Sequence, residues 1–167
     1  CGFAPETEFT DWIRDDTRPP ATAAPEDVFV LPTTVADLAA NRLLQDAPLA
    51  SWDRATATLL ARADLLQGMA LATVDRITAF VLYRPAAAGG AGGAIDALGP
   101  LPEPRDAADH GRASAFGRLL ALVRERIAGP LLIPRIAEAE IPAEWLRQWG
   151  FRPTTGWRRF VAMARAG

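Results

Sequence analysis

Lysine is missing from this chain: all 18 basic residues are Arg. No Lys can therefore serve as a nucleophile or form a Schiff base, and the Arg and Ala usage reads as codon bias. There is one Cys and one His, which excludes an intramolecular disulfide and a Cys/His zinc cluster. No metal is expected. No apolar run approaches the roughly 20 residues of a membrane-crossing helix. The net charge of -2 and the pI near 5.4 supply no pull toward nucleic acid or an anionic membrane, and neither is expected as a partner. No basic stretch leads into an apolar one near Cys1, so the expected location is the cytoplasm. Cys1 runs straight into a strand-like segment with no polar tether, which reads as a boundary within a longer protein rather than a lipidated start.

Half of the 167 residues are hydrophobic, enough for one domain with a sizeable core plus an extension. One phrase is written twice. Gly150-Phe151-Arg152-Pro153 repeats Gly2-Phe3-Ala4-Pro5, Thr155 matches Thr7, Trp157 and Phe160 match Phe9 and Trp12, and Val161 matches Ile13. Two amphipathic strands in an Ala-rich chain can agree by chance. The reading adopted is that residues 1–13 are the last strand of a preceding related domain, 14–27 a Pro/Ala-rich linker, and 28–167 a second domain. An unpaired apolar strand invites association, so residues 3–13 are expected to pair with a sheet edge, either this domain's own or that of a second copy.

After the linker the pattern predicts a short strand at Val28–Leu31 and a helix from Val35 capped at Thr33-Thr34. A second helix is predicted over Ser51–Leu66, with Ser51 as cap and Gly68 as terminator. Met69–Thr73 and Ile77–Tyr83 read as a hairpin around Val74-Asp75-Arg76. Four Gly in five residues near Gly93 read as a mobile hairpin loop. A phosphate loop would lead into a helix, whereas this one leads into the strand-like Ala94–Leu98. A helix follows over Arg112–Ala128, with Phe116, Leu119, Leu120, Val123 and Ile127 on one stripe. Then come a strand at Leu131–Ile136, a short helix from Pro142 to Trp149, and a last strand at Thr155–Met163. The order predicts an α+β chain with a mixed central sheet flanked by helices.

This order, with Arg112-Ala113-Ser114-Ala115-Phe116-Gly117 opening a helix and Trp149-Gly150-Phe151 near the end, resembles the GNAT superfamily of acetyl-CoA-dependent N-acyltransferases over residues 28–165. The resemblance implies a GNAT fold and coenzyme A held at the helix start by residues 112–117, Arg118 and Leu98. The physics agrees: amides at a helix N-terminus lack intrahelical acceptors and favour an anion, and Arg adds charge for phosphates. Acetyl-CoA is the implied co-substrate, with a small-molecule or peptide amine as acceptor.

The chain also departs from the family pattern. Ala115 replaces a Gly, Pro100 stands where an N–H donor is wanted, Glu140 takes the place of an Asn, and Leu146 takes the place of the Tyr that protonates the leaving thiolate. The single Tyr, Tyr83, is expected to pack. Glu138 and Glu140 are the candidate catalytic bases, acting through water; Asp96 is a further carboxylate beside the expected cleft, and solvated surface groups are the bland alternative for all three. His110 precedes the phosphate-binding turn, where it faces the same choice. Trp145, Trp149 and Trp157 read either as an acceptor wall or as packing.

Three functions follow. The first is a N-acetyltransferase domain, the C-terminal half of a tandem protein. The second is a degenerate GNAT-like domain serving structure, dimerisation with a second copy, or regulation. The third is an unrelated α+β ligand-binding domain, which predicts no splay between the strands ending near Leu98 and Ile136.

Overall fold

The computed structural model describes residues 3–15, 28–44, 51–86, 91–99, 109–138 and 140–162, with side chains placed for all of these except 3–6, 109–112 and 157–162. Seven strands form one mixed sheet: β1 (Phe3–Arg14), β2 (Phe29–Thr33), β3 (Gln67–Ala72), β4 (Ile77–Pro85), β5 (Gly93–Gly99), β6 (Leu131–Ala137) and β7 (Arg152–Ala162). Their order across the sheet is β2-β3-β4-β5-β6-β1-β7. Every neighbouring pair is antiparallel except β5 and β6.

Alternation along the strands divides the core in two. Met69, Leu71, Val81, Tyr83, Ile95, Ile133 and Ile136 pack with Phe116, Leu119, Leu120 and Val123 of α3 (Asp109–Arg126) and with Trp145 and Leu146 of α4 (Ala143–Gln148). Ala70, Phe80, Leu82 and Ala97, on the opposite face, pack with Val35 and Leu38 of α1 (Val35–Ala40) and Leu59 of α2 (Thr56–Ala61). The α+β reading with helices on both faces is therefore correct. Tyr83 is in the core, as expected.

Helix α1 opens on a reciprocal cap: Thr34 Oγ1 accepts from the Asp37 amide, and Asp37 Oδ2 accepts from the Thr34 amide. The predicted Ser51–Leu66 helix is a correction. It is three pieces, a 3-10 turn at Trp52–Arg54, helix α2, and a 3-10 turn at Ala63–Leu65. Ser51 makes no side-chain cap, and Ala55 is extended with ψ at 139°. The break follows from a tertiary demand: Arg54 is anchored to β6, and helix propensity is too weak to resist that. Gly68 is inside β3, where an added Cβ would lie 2.4 Å from the Thr33 carbonyl oxygen.

Helix α3 begins at Asp109, one turn before the expected Arg112. The linker reading also shifts: Arg14 is the buried last residue of β1. Strand β1 does pair with the sheet, but between β6 and β7 rather than at an edge. Residues 16–27, 87–90, 100–108 and 163–167, with Asp106, Pro100 and most of the linker among them, lie outside the described residues.

Candidate functional site

The parallel pair β5 and β6 makes the cleft. Their register runs only through Gly93↔Leu131 and Ala94↔Leu132. The closed end is pinned by backbone: Gly92 N–H donates to Ala128 O at 2.6 Å, and Gly93 N–H to Pro130 O at 2.9 Å. Gly92 has φ of +97°, and a Cβ there would lie 2.4 Å from Pro130 O. Two of the loop's glycines thus serve strand closure. Beyond Ala94, β5 turns its hydrogen bonding to β4 alone (Ile95↔Tyr83, Leu98↔Val81, Gly99↔Phe80), while β6 pairs with β1 (Ile133↔Trp12, Ile136↔Thr10). The strands therefore splay, as the acyltransferase resemblance requires and the unrelated-fold reading does not. Helix α3 is the crossover between them, so its start faces the open end.

The α3 motif residues divide by burial. Ala113, Phe116 and Gly117 are buried; Phe116 belongs to the core, and the Ala113 carbonyl accepts from Trp149 Nε1 at 3.0 Å. Ala115 is packed against the same core, so its Cβ contributes to packing. Ser114 is half-buried. Arg118 Nη1 is buried with no hydrogen-bond partner among the described residues. Leu98 lies buried on β5. The Arg112 and His110 side chains, like that of Trp157, lie outside the described residues.

An ion-pair cluster lies along β6. Strand β6 is bent by a bulge against β1 between Thr10 and Trp12, where Arg135 adopts a left-handed φ of 51°. The Arg135 amide donates to Asp11 Oδ1 at 2.8 Å. The Trp52–Arg54 turn sits against β5 and reaches across to β6. There Arg54 donates to the carbonyls of Pro134 (2.7 Å) and Arg135, in the stretch without β5 pairing. Its Nε lies 2.6 Å from Glu140 Oε1, with both side chains buried. Asp53 pairs with Arg135, whose guanidinium lies 5.7 Å from the ring centre of the exposed Trp52.

Burial pushes the Glu140 carboxyl above its ordinary 4.5, outweighing the opposing Arg54 charge and hydrogen bond. Glu138 is exposed and accepts from the Ala143 amide that opens α4. Asp96 is buried on β5, 2.7 Å from Arg84 Nε and 3.7 Å from Arg62 Nη2. The two candidate bases therefore differ in setting: Glu140 joins the cleft cluster and Glu138 caps a helix. Leu146 is fully buried in the core. Trp145 and Trp149 pack, with ring centres 6.0 Å apart and Trp149 edge-on to Phe116 at 6.1 Å. Sequence reasoning missed Arg54, because a buried Arg in an Ala-rich helical stretch carries no local signal.

No family model matches the chain, and no curated protein matches it. Solved structures do. A GCN5-related N-acetyltransferase from Sphaerobacter thermophilus aligns over 94% of this chain and 51% of its own length, at 16% identity and a TM-score of 0.60. One from Kribbella flavida aligns over 95% and 59%, at 13% identity and a TM-score of 0.57. A functionally unknown conserved protein from Staphylococcus epidermidis aligns over 93% and 60%, at 8% identity and a TM-score of 0.65. The fold is thus GNAT-like, and the chain spans little more than half the length of these proteins.

Proposed function

We propose that this domain is an acetyl-CoA-dependent N-acetyltransferase, the C-terminal half of a tandem protein. The observation that carries the reading is the β5/β6 splay with α3 opening at its wide end. A GNAT-like fold alone does not establish an activity. The residues fit the co-substrate in two respects. Beyond Ala94, β5 has an edge not paired with β6, suited to the amides of a pantetheine arm. Arg112 lies in the helix's first turn, suiting a pyrophosphate, and Arg118, two and a half turns (nine residues) from the helix start, has a guanidinium nitrogen with no partner among the described residues. Ala115, packed on the core, is no obstacle.

In this reading the amine nitrogen attacks the thioester carbon and the C–S bond breaks. One amine proton passes through water to Glu140, and the coenzyme leaves as thiolate. Burial raises the Glu140 pKa above its ordinary 4.5, the direction that strengthens a carboxylate base. Leu146, which stands in the place of the family's Tyr acid, is in the core and supplies no proton. Proximity supplies most of the acceleration. The near-neutral net charge selects neither a small amine nor a peptide.

A second reading, a non-catalytic GNAT-like domain, is favoured by one observation: Glu140 and Asp96 are both tied to Arg. Calorimetric titration with acetyl-CoA and coenzyme A separates the two. Micromolar binding that weakens on the order of tenfold in Arg112→Ala supports the enzyme. No binding up to millimolar ligand leaves the structural reading.

A further inference from the structure

The repeat noted in the sequence and the pairing of the strands that carry it obey the same rule. The shift that carries Gly2 onto Gly150 also carries Phe9 onto Trp157, and in the sheet Phe9 lies directly opposite Trp157. Exchanging each residue for its repeat equivalent then turns the register into itself except at Phe3↔Ala162 and Thr7↔Arg159, whose equivalents are not among the paired residues. Glu8↔Arg158 becomes Thr10↔Gly156, Pro5↔Phe160 becomes Trp12↔Pro153, and Ala4↔Val161 becomes Ile13↔Arg152; all of these pairs are present. The irregularities correspond too. The register slips once between Pro5 and Thr7, leaving Glu6 extra on β1, and once between Thr10 and Trp12, leaving one extra residue on β7 at Thr154-Thr155, the stretch that contains the equivalent of Glu6. Any antiparallel register of two repeated strands maps onto itself under this exchange, so the correspondence of the two irregularities, rather than the register, marks the two-fold.

A two-fold through Phe9 and Trp157 acts on the neighbours as well. Strand β1 has β6 on its far side, with Phe9↔Ala137, Trp12↔Ile133 and Arg14↔Leu131. The far side of β7 has no strand among the described residues. The same operation places an antiparallel strand there, equivalent to β6 but belonging to the unit whose last strand is β1. We infer that the free edge of β7 is completed by the β6-equivalent strand of a second GNAT-like unit preceding β1 in the same polypeptide. Each unit then lends its last strand to the other, and one sheet runs unbroken through both. This deepens the tandem reading above and does not depend on coenzyme A binding. The Sphaerobacter thermophilus structure aligned above has about half its length outside the alignment, enough for a second unit.

The test compares amide hydrogen exchange in the 167-residue chain with that in a tandem protein joining residues 28–149 directly to residues 2–167. In the short chain, the β7 amides that face away from β1 exchange fast and the protein is monomeric. In the tandem protein the same amides slow by on the order of 100-fold, and the molecule stays monomeric. A synthetic peptide of residues 129–140, added to the short chain, gives weaker protection of the same amides. Fast exchange at those amides with both the tandem protein and the peptide overturns the inference. So does a dimeric short chain with its β7 edge already protected, which would make a second copy the occupant. Coenzyme titration of the same samples reads the acetyltransferase proposal separately, and either result there leaves this one standing.

Discussion

The two arms of the sheet are built differently. On one side of the cleft, β2, β3, β4 and β5 follow one another in both sequence and space, each antiparallel to the next. On the other side, β6, β1 and β7 come from three separated stretches, and β1 reaches its partners across more than 100 residues. The first arm is made of local contacts with low closure entropy. The second depends on contacts that form only after most of the chain is in place. Yet the second arm shapes half of the cleft, because β6 can bend into its bulge only with β1 alongside.

The largest effect should come from breaking the second arm at β1. Trp12 is 4% exposed in the main core, with Arg147 stacked 5.6 Å from its ring centre. Trp12→Ala is expected to cost about 3–5 kcal/mol in urea unfolding. The counterpart on the first arm's edge is Phe29→Ala, where the side chain is 55% exposed and the cost should stay below about 1 kcal/mol. Equal costs would show that β1 is an accessory rather than an integral strand.

Next is the ion pair that bridges the arms. Arg54→Met leaves Glu140 buried without its partner, and a loss of about 3–5 kcal/mol is expected near neutral pH. Glu140→Gln keeps the Arg54 bonds to the Pro134 and Arg135 carbonyls and should cost far less, about 1 kcal/mol. The sign with pH is fixed by burial. The folded-state pKa of Glu140 lies above its ordinary 4.5, so its contribution is fully present below that value and is lost as pH rises through the folded pKa. Stability followed against pH should fall over that window in the wild type and be flatter in Glu140→Gln. A wild-type profile that rises there would put the carboxyl's pKa below its ordinary value and remove its credentials as a base.

The first arm was readable because its signals are local. The Met69–Thr73 and Ile77–Tyr83 hairpin, the apolar stripe of α3 and the short helix after Pro142 lie within three residues of their predicted places. The second arm was readable only through the repeat. Two strands of matching sequence announced a relationship, but not that they would lie side by side or that β1 would displace β7 to the edge. Of the candidate site, residues 112–118 and Glu140 are proposed through a family resemblance. The split of Ser51–Leu66 was not legible, because Arg54 is held by carbonyls 80 residues away, and no periodicity encodes such a bond. The role of Gly92 and Gly93 was hidden for a similar reason: composition marks a loop, while the need for glycine comes from Pro130 and Arg84 pressing on the backbone.

That close approach gives a smaller test of the junction between the arms. At Gly93 an added Cβ would lie 2.6 Å from the Arg84 carbonyl oxygen and 2.7 Å from Ile127 Cδ1. Gly93→Ala should cost about 1–3 kcal/mol, as overpacking does. It acts at the closed end of the cleft, so coenzyme affinity should fall with it. A Gly93→Ala protein of unchanged stability and affinity would mean that the splay tolerates a wider root.

The smallest effect belongs to the clasp between the two repeated strands. Arg152 Nη2 lies 2.5 Å from Asp15 Oδ2, tying the end of β1 to the start of β7. Both side chains are more than half exposed, at 63% and 53%. Water and salt screen such a pair, and holding two long side chains in one geometry costs entropy. Arg152→Ala should therefore lower stability by less than about 1 kcal/mol, with the difference vanishing in molar salt. If the β1–β7 pairing rests on the backbone ladder and the buried Phe9 and Trp12, exchange protection within β1 should be the same in the variant. Loss of that protection, with the rest of the sheet intact, would instead make the second arm a strand held by charge at its end. The contrast with the first arm would then lie in how the strand is fastened rather than in how it is reached.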